Sequence, residues 1–160
     1  MTMTTILWDI DGVLNPLFAT DLIERGFFHV DEGYASWNID LTHHAAWMRD
    51  LSTKADMIWC SSWMNDSNII ATYFMLDNHL DYVDFPTMVD DPDITWKLEA
   101  VKNHFAGSDE PIIWLDDEFK GDAYEWAKER PYTLLISCDP AVGWTQKQYE
   151  KMLDFIEFHK

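Results

Sequence analysis

Two aspartates separated by one apolar residue, Asp9 and Asp11, close the run ILWDIDG and are the residues of this sequence best suited to chemistry. Carboxylates that close repel each other, so the pair calls for a cation or a shared proton, and a divalent metal is the simpler answer. The residues before them, Thr5–Trp8, are β-branched, aliphatic and aromatic, as in a buried central strand of an α/β sheet. Gly12 then permits a sharp turn. Asp9 and Asp11 are therefore expected at the carboxyl end of a strand, the edge at which open parallel sheets bind ligands. Taken alone, Asp-x-Asp-Gly also reads as an acidic turn, because both residue types are common turn formers.

Three further stretches bear on that choice. Residues 57–62, MIWCSS, form a second strand-like run ending in hydroxyls, Lys97 opens a helical pattern, and residues 112–118, IIWLDDE, form a third run ending in paired aspartates. Together they make a set for phosphoryl transfer, and in this order they resemble the four motifs of the haloacid dehalogenase superfamily of phosphohydrolases. The resemblance is closest to the small phosphatase-type domain of Swiss Army Knife RNA repair proteins. Its Trp-x-Thr-x-Trp second motif is resembled by Trp59, Ser61 and Trp63, with Ser in place of Thr. Trp96 and Lys97 match its third motif, and Trp114, Asp116 and Asp117 its fourth. A late Asp-Pro, Gly-Leu-Thr segment is similar to Asp139, Pro140, Gly143, Trp144 and Thr145, with Trp in place of Leu. The likeness spans nearly the whole chain.

The resemblance implies a role for each residue. Asp9 would attack a phosphoryl group in line and form an aspartyl-phosphate. Asp11 would protonate the leaving oxygen and later activate water, and its presence favours phosphate over halide substrates. Ser61 would donate a hydrogen bond to a transferring oxygen, and Lys97 would offset its charge. Magnesium, with its preference for oxygen ligands, would be held by Asp9 and Asp116 directly and by the Asp11 backbone carbonyl, with Asp117 orienting a bound water or Lys97. Gly12, Ser62 and Trp63 are candidate substrate contacts, and Trp63 could stack a base or an aromatic leaving group. Each residue also has a plain structural reading: Ser61 as a strand-end serine, Lys97 as a solvated lysine, Asp117 as a helix cap. Four such readings falling in this order on strand ends is an improbable coincidence.

To hold these residues, strands and helices must alternate. Residues 41–51 have the apolar spacing of an amphipathic helix, with His43 and His44 expected on its surface. Asn65 or Asp66 can cap a second helix carrying Ile69, Ile70, Tyr73, Phe74 and Leu76, and residues 82–85 form a short strand candidate. Asp93 can cap a helix over 94–105, which puts Lys97 in its first turns, against the helix dipole. A helix near 119–129, a strand at Thr133–Ser137 and a last helix opened by the capping-box pair Thr145 and Gln148 complete the series. Residues 17–40 read as irregular or hairpin-like and fold over the site. This pattern predicts an α/β fold whose parallel sheet is covered on both faces. The resemblance makes it a three-layer, Rossmann-like sheet of the HAD type, capless or with only a small flap.

Composition bounds the function. The 160 residues suit one domain, 1–160, and 48% hydrophobic with nine Trp is too apolar for a disordered segment. The apolar runs fall short of a membrane span and the start, MTMTT, lacks signal-peptide character, so a soluble cytoplasmic protein is expected. Cys60 and Cys138 lie in apolar runs and read as buried free thiols suited to a reducing compartment. A formal net charge of -18 with only 11 Lys and Arg argues against extended nucleic-acid binding. The expected partner is a small phosphorylated substrate or a nucleic-acid end. The sequence thus predicts a magnesium-dependent phosphomonoester hydrolase acting on a nucleotide or nucleic-acid end. A small-metabolite phosphatase and a non-catalytic phosphate or metal-binding module are the alternatives, separable by a screen of phosphomonoesters with and without magnesium.

Overall fold

A strand buried on both faces has to be apolar throughout, and the run before Asp9 meets that demand. In the computed structural model, which describes residues 3–160, all four residues of Thr5–Trp8 are buried. Met1 and Thr2, part of the start read above as lacking a signal peptide, lie outside the described residues. The elements in chain order are β1 (Thr5–Trp8), β2 (Phe28–Asp31), β3 (Ser36–Ile39), α1 (His43–Ser52), β4 (Asp56–Trp59), α2 (Asn68–Tyr73), α3 (Leu98–His104), β5 (Ile112–Asp116), α4 (Gly121–Glu129), β6 (Thr133–Ser137) and α5 (Gln146–Phe158). Four strands form one parallel sheet in the order β4-β1-β5-β6. Trp8 lies opposite both Trp59 and Leu115, so Asp9, Cys60 and Asp116 emerge at one edge.

Alternation along each strand divides the core in two. Ile6, Trp8, Ile113 and Leu115 pack with Met48 and Leu51 of α1, Ile70 of α2 and Met152 and Ile156 of α5. Leu7, Ile58, Ile112 and Trp114 pack on the other side with Leu98 and Val101 of α3 and with Trp126 of α4. The result is the expected three-layer α/β architecture. Trp8, Trp59 and Trp114 are fully buried in it, as packing residues. Both thiols are buried and free, and burial pushes their pKa values up. Among the described residues no helix is long and apolar enough to cross a membrane.

The insertion after β1 is small. β2 and β3 pair antiparallel as a hairpin, which the backbone N–H of Asn38 ties to the Asn15 side chain at 2.8 Å. Trp37 of β3 is 3% exposed and sits edge to face on Trp63. This hairpin is the small flap.

Four local expectations need correction. His43 is exposed, but His44 is buried, with Nε2 2.7 Å from the Trp144 carbonyl oxygen and burial lowering its pKa. Helix α1 has a second neighbour on that flank, which periodicity does not show. Neither Asn65 nor Asp66 caps α2, because both belong to a 3-10 turn, Met64–Ser67, that precedes it. Residues 82–85 make only one bridge, Tyr82 to Trp59, and no strand. Helix α3 starts at Leu98, with Lys97 at its N-cap, and Asp93 does not cap it. The cause is Thr95, whose backbone N–H and hydroxyl are both bound by the Asp122 carboxylate and hold the preceding turn outside the helix. At the far end Thr145 and Gln148 make both bonds of the expected capping box.

Candidate active site

Lys97 is the centre of the site, and its surroundings follow from where it leaves the chain. At the N-cap of α3 its side chain points away from the helix body and under the sheet edge, where it is 4% exposed. The ammonium has three protons and three acceptors: Asp116 Oδ2 at 2.6 Å, the Cys60 carbonyl oxygen at 2.9 Å and Asp9 Oδ1 at 3.0 Å. Those acceptors come from the ends of β5, β4 and β1. Burial alone would discharge a lysine, but the Asp9 and Asp116 carboxylates outweigh it and hold the pKa above its ordinary value. Asp9 is buried too; burial pushes its pKa well up, and Lys97 opposes that without cancelling it.

Asp117 completes an acidic cluster. Carboxylate oxygens of Asp9, Asp116 and Asp117 lie within 4.8 Å of one another. Burial, and then the neighbouring Asp116, raise the Asp117 pKa to about 6. With all three carboxylates ionised, as a bound cation would hold them, the cluster and its one ammonium carry two negative charges in a largely dry site, the complement of a divalent cation. Hard oxygen donors and that charge fit magnesium. The ammonium is bonded to Asp116 and not to Asp117, so orienting Lys97 falls to Asp116.

Gly12 explains how Asp117 comes so close to the first turn. Its φ is +83°, and a Cβ there would stand 2.3 Å from Asp117 Oδ2 and 2.8 Å from Asp117 Cβ. Only glycine satisfies both conditions.

Asp11 is held apart from this cluster. Its Oδ1 accepts from the Asn15 side-chain amide at 2.8 Å, and its Oδ2 from the Trp63 indole N–H at 3.0 Å. Its two carboxylate oxygens thus rest on neutral donors, outside the cluster of Asp9, Asp116 and Asp117. Ser61 is 1% exposed and its Oγ accepts from the Trp63 backbone N–H at 3.1 Å, which leaves the hydroxyl proton to give away. Ser62 is exposed, and among the described residues no hydrogen bond ties its hydroxyl to the site.

The structure therefore brings Asp9, Lys97, Asp116 and Asp117 into one cluster, with Asp11, Ser61 and Trp63 linked beside it. Sequence reasoning missed Asn15 and the Thr95–Asp122 tie that sets the start of α3. Asn15 carried a faint signal, as a polar residue before Pro16 in a turn that already held two aspartates.

The family model for the HAD domain in Swiss Army Knife RNA repair proteins matches residues 5–149, which include every residue of this site. Neither a curated protein nor a solved structure matches the chain.

Proposed function

The chain belongs to the family of HAD domains in Swiss Army Knife RNA repair proteins, a phosphatase-type hydrolase family, and from that premise we propose that it hydrolyses phosphomonoesters through an aspartyl-phosphate on Asp9. The observation that supports this best is the separate anchoring of two carboxylates on one turn. Asp9 sits in the charged cluster against Lys97, whereas Asp11 rests on the neutral donors Asn15 and Trp63. Different environments are how two like groups take different tasks.

The free Asp9 oxygen attacks phosphorus in line, and the bond to the leaving oxygen breaks as Asp11 delivers a proton to it. Asp11, now ionised, takes a proton from the water that attacks the aspartyl-phosphate, which frees inorganic phosphate and restores the Asp9 carboxylate and the protonated Asp11. Lys97 fixes the attacking group and balances the charge of the buried carboxylates, and the Ser61 hydroxyl donates to a phosphoryl oxygen. Asp9, Asp116 and Asp117 would hold magnesium, which when bound neutralises charge on the phosphoryl oxygens.

The substrate in this reading is a nucleotide or a short nucleic-acid end. Net charge of -18 repels a long polyanion over about a Debye length, ~8 to 10 Å at physiological salt. The test is a panel of nucleoside monophosphates, phosphorylated oligonucleotides and sugar phosphates, assayed with magnesium and with chelator, for wild type and Asp9→Asn. Asp9→Asn is expected to lose turnover while keeping the fold. Wild-type turnover by Asp9→Asn would end the mechanism, and full activity in chelator would end the metal assignment.

A further inference from the structure

Against Trp63, the residue expected above to stack a base or an aromatic leaving group, opens a pocket of about 480 Å³. Its volume lies in the range of small-ligand sites. Trp37 and Trp63 form an aromatic corner, with ring centroids 5.4 Å apart and planes at 73°, and Tyr34, Asp66, Ile69 and Thr72 contribute to the rest. No Lys or Arg lines it, so it is not built for a second phosphate. An aromatic corner without cations suits a flat, neutral ring.

The pocket is also continuous with the chemistry. The Trp63 indole that lines it is the one whose N–H holds Asp11 Oδ2. A group seated against that ring would be the part of the substrate beyond the leaving oxygen.

The lining polar groups differ in what they offer: Tyr34, Asn65 and His79 are exposed, and the buried Trp37 indole N–H has no partner among the described residues. The Asn68 side chain is fully spent: its oxygen accepts from the Trp59 indole N–H and the Leu80 backbone N–H, and its amide donates to the Leu80 carbonyl. Thr72 Oγ1 donates to the Asn68 carbonyl. The Asp66 carboxylate, by contrast, is exposed and makes no side-chain hydrogen bond or ion pair among the described residues. A carboxylate only accepts, and the exocyclic amino group of a base is a donor it reads.

Resting on the phosphatase reading above, we propose that this pocket is the subsite for the base of a nucleoside monophosphate, favouring bases that carry an amino group. Occupying it would fix the Trp63 ring, and with it the direction of Asp11. Base recognition and acid positioning thus share one side chain.

The experiment compares wild type, Thr72→Phe and Asp66→Asn on cytidine monophosphate, uridine monophosphate and glycerol phosphate. Thr72 is an exposed residue of α2 on the pocket wall, and Phe there fills the pocket against the Trp63 ring while leaving Asp11, which does not line it, in place. The ratio of kcat/KM for cytidine monophosphate over glycerol phosphate is expected to fall at least tenfold in Thr72→Phe. The preference for cytidine over uridine monophosphate is expected to shrink severalfold in Asp66→Asn. Unchanged ratios would overturn the proposal. A second arm titrates cytidine, which carries no phosphate, into wild-type protein and follows the Trp indole N–H signals by NMR. Saturable shifts at Trp37 and Trp63 that Thr72→Phe abolishes would support the subsite even if no phosphomonoester were hydrolysed, in which case only the phosphatase reading fails. Absence of any shift would remove the subsite even from a working phosphatase.

Discussion

Replacing Gly12 by Ala tests the close approach on which the acidic cluster depends. The new methyl would meet Asp117 Oδ2 at 2.3 Å, Cγ at 2.5 Å and Cβ at 2.8 Å. Rotating the carboxylate relieves the first two contacts but not the third, so backbone must shift. A non-glycine residue at φ +83° carries ~1 kcal/mol of strain, and overpacking of this severity adds ~1 to 3 kcal/mol, for a total of ~2 to 4. Gly33 supplies the control. Its φ is +85°, yet a Cβ there meets nothing within 4 Å, so Gly33→Ala should cost the strain alone, ~1 kcal/mol. Urea unfolding of the two variants should therefore differ by ~1 to 3 kcal/mol. A calorimetric magnesium titration should show weakened binding in Gly12→Ala only, because the shift carries Asp117 away from Asp9 and Asp116. Equal destabilisation of the two variants, with magnesium binding intact in both, would refute the argument that Gly12 exists to admit Asp117.

Other outcomes follow from the charges. Because Asp117 has a folded pKa of about 6 against an ordinary value of 3.8, its protonated form is the stabilising one. That contribution is complete below pH 3.8 and lost as pH rises through 6, at a cost of ~1 kcal/mol after discounting for its half-exposed position. Metal-free protein should thus gain more in Tm from magnesium at pH 7.5 than at pH 5, and Asp117→Asn should flatten the difference; a larger gain at pH 5 would contradict the assignment. Lys97→Met strands two buried carboxylates and should destabilise by ~3 to 5 kcal/mol at pH 7.5 and by less at pH 5, as denaturation at the two pH values would show. Asn15→Ala unpairs the Asn38 backbone N–H and frees one Asp11 oxygen, so it should cost ~1 to 3 kcal/mol and lower kcat; kcat at the wild-type value would exclude Asn15 as a positioning residue for Asp11.

Much of this arrangement was legible in the sequence, for identifiable reasons. Buried parallel strands must be apolar and must end where polar residues begin, so β1 and β5 announce themselves, and with them the positions of Asp9 and Asp116. The capping box at Thr145 depends on residues three apart and was equally visible. What escaped depends on contacts between distant residues. Thr95 is bound by Asp122, 27 residues away, and that tie shortens α3 and leaves Lys97 at its N-cap. His44 is buried because Trp144, 100 residues on, closes over it. Asn15 was passed over, because its hold on Asp11 and Asn38 needed the hairpin to be in place.

The three bonds of the Lys97 ammonium have a consequence for the order of assembly. They reach 19 residues forward to Asp116, 37 back to Cys60, and back to the first strand at Asp9. Closing such loops is entropically expensive, and contacts of this span form late in folding. Until β1, β4 and β5 stand side by side, the ammonium has nowhere to anchor and Asp9 and Asp116 have no shared counter-charge. A partly folded chain therefore carries the aspartates without the cluster. Competence to bind a divalent cation arrives together with the finished sheet and leaves with it.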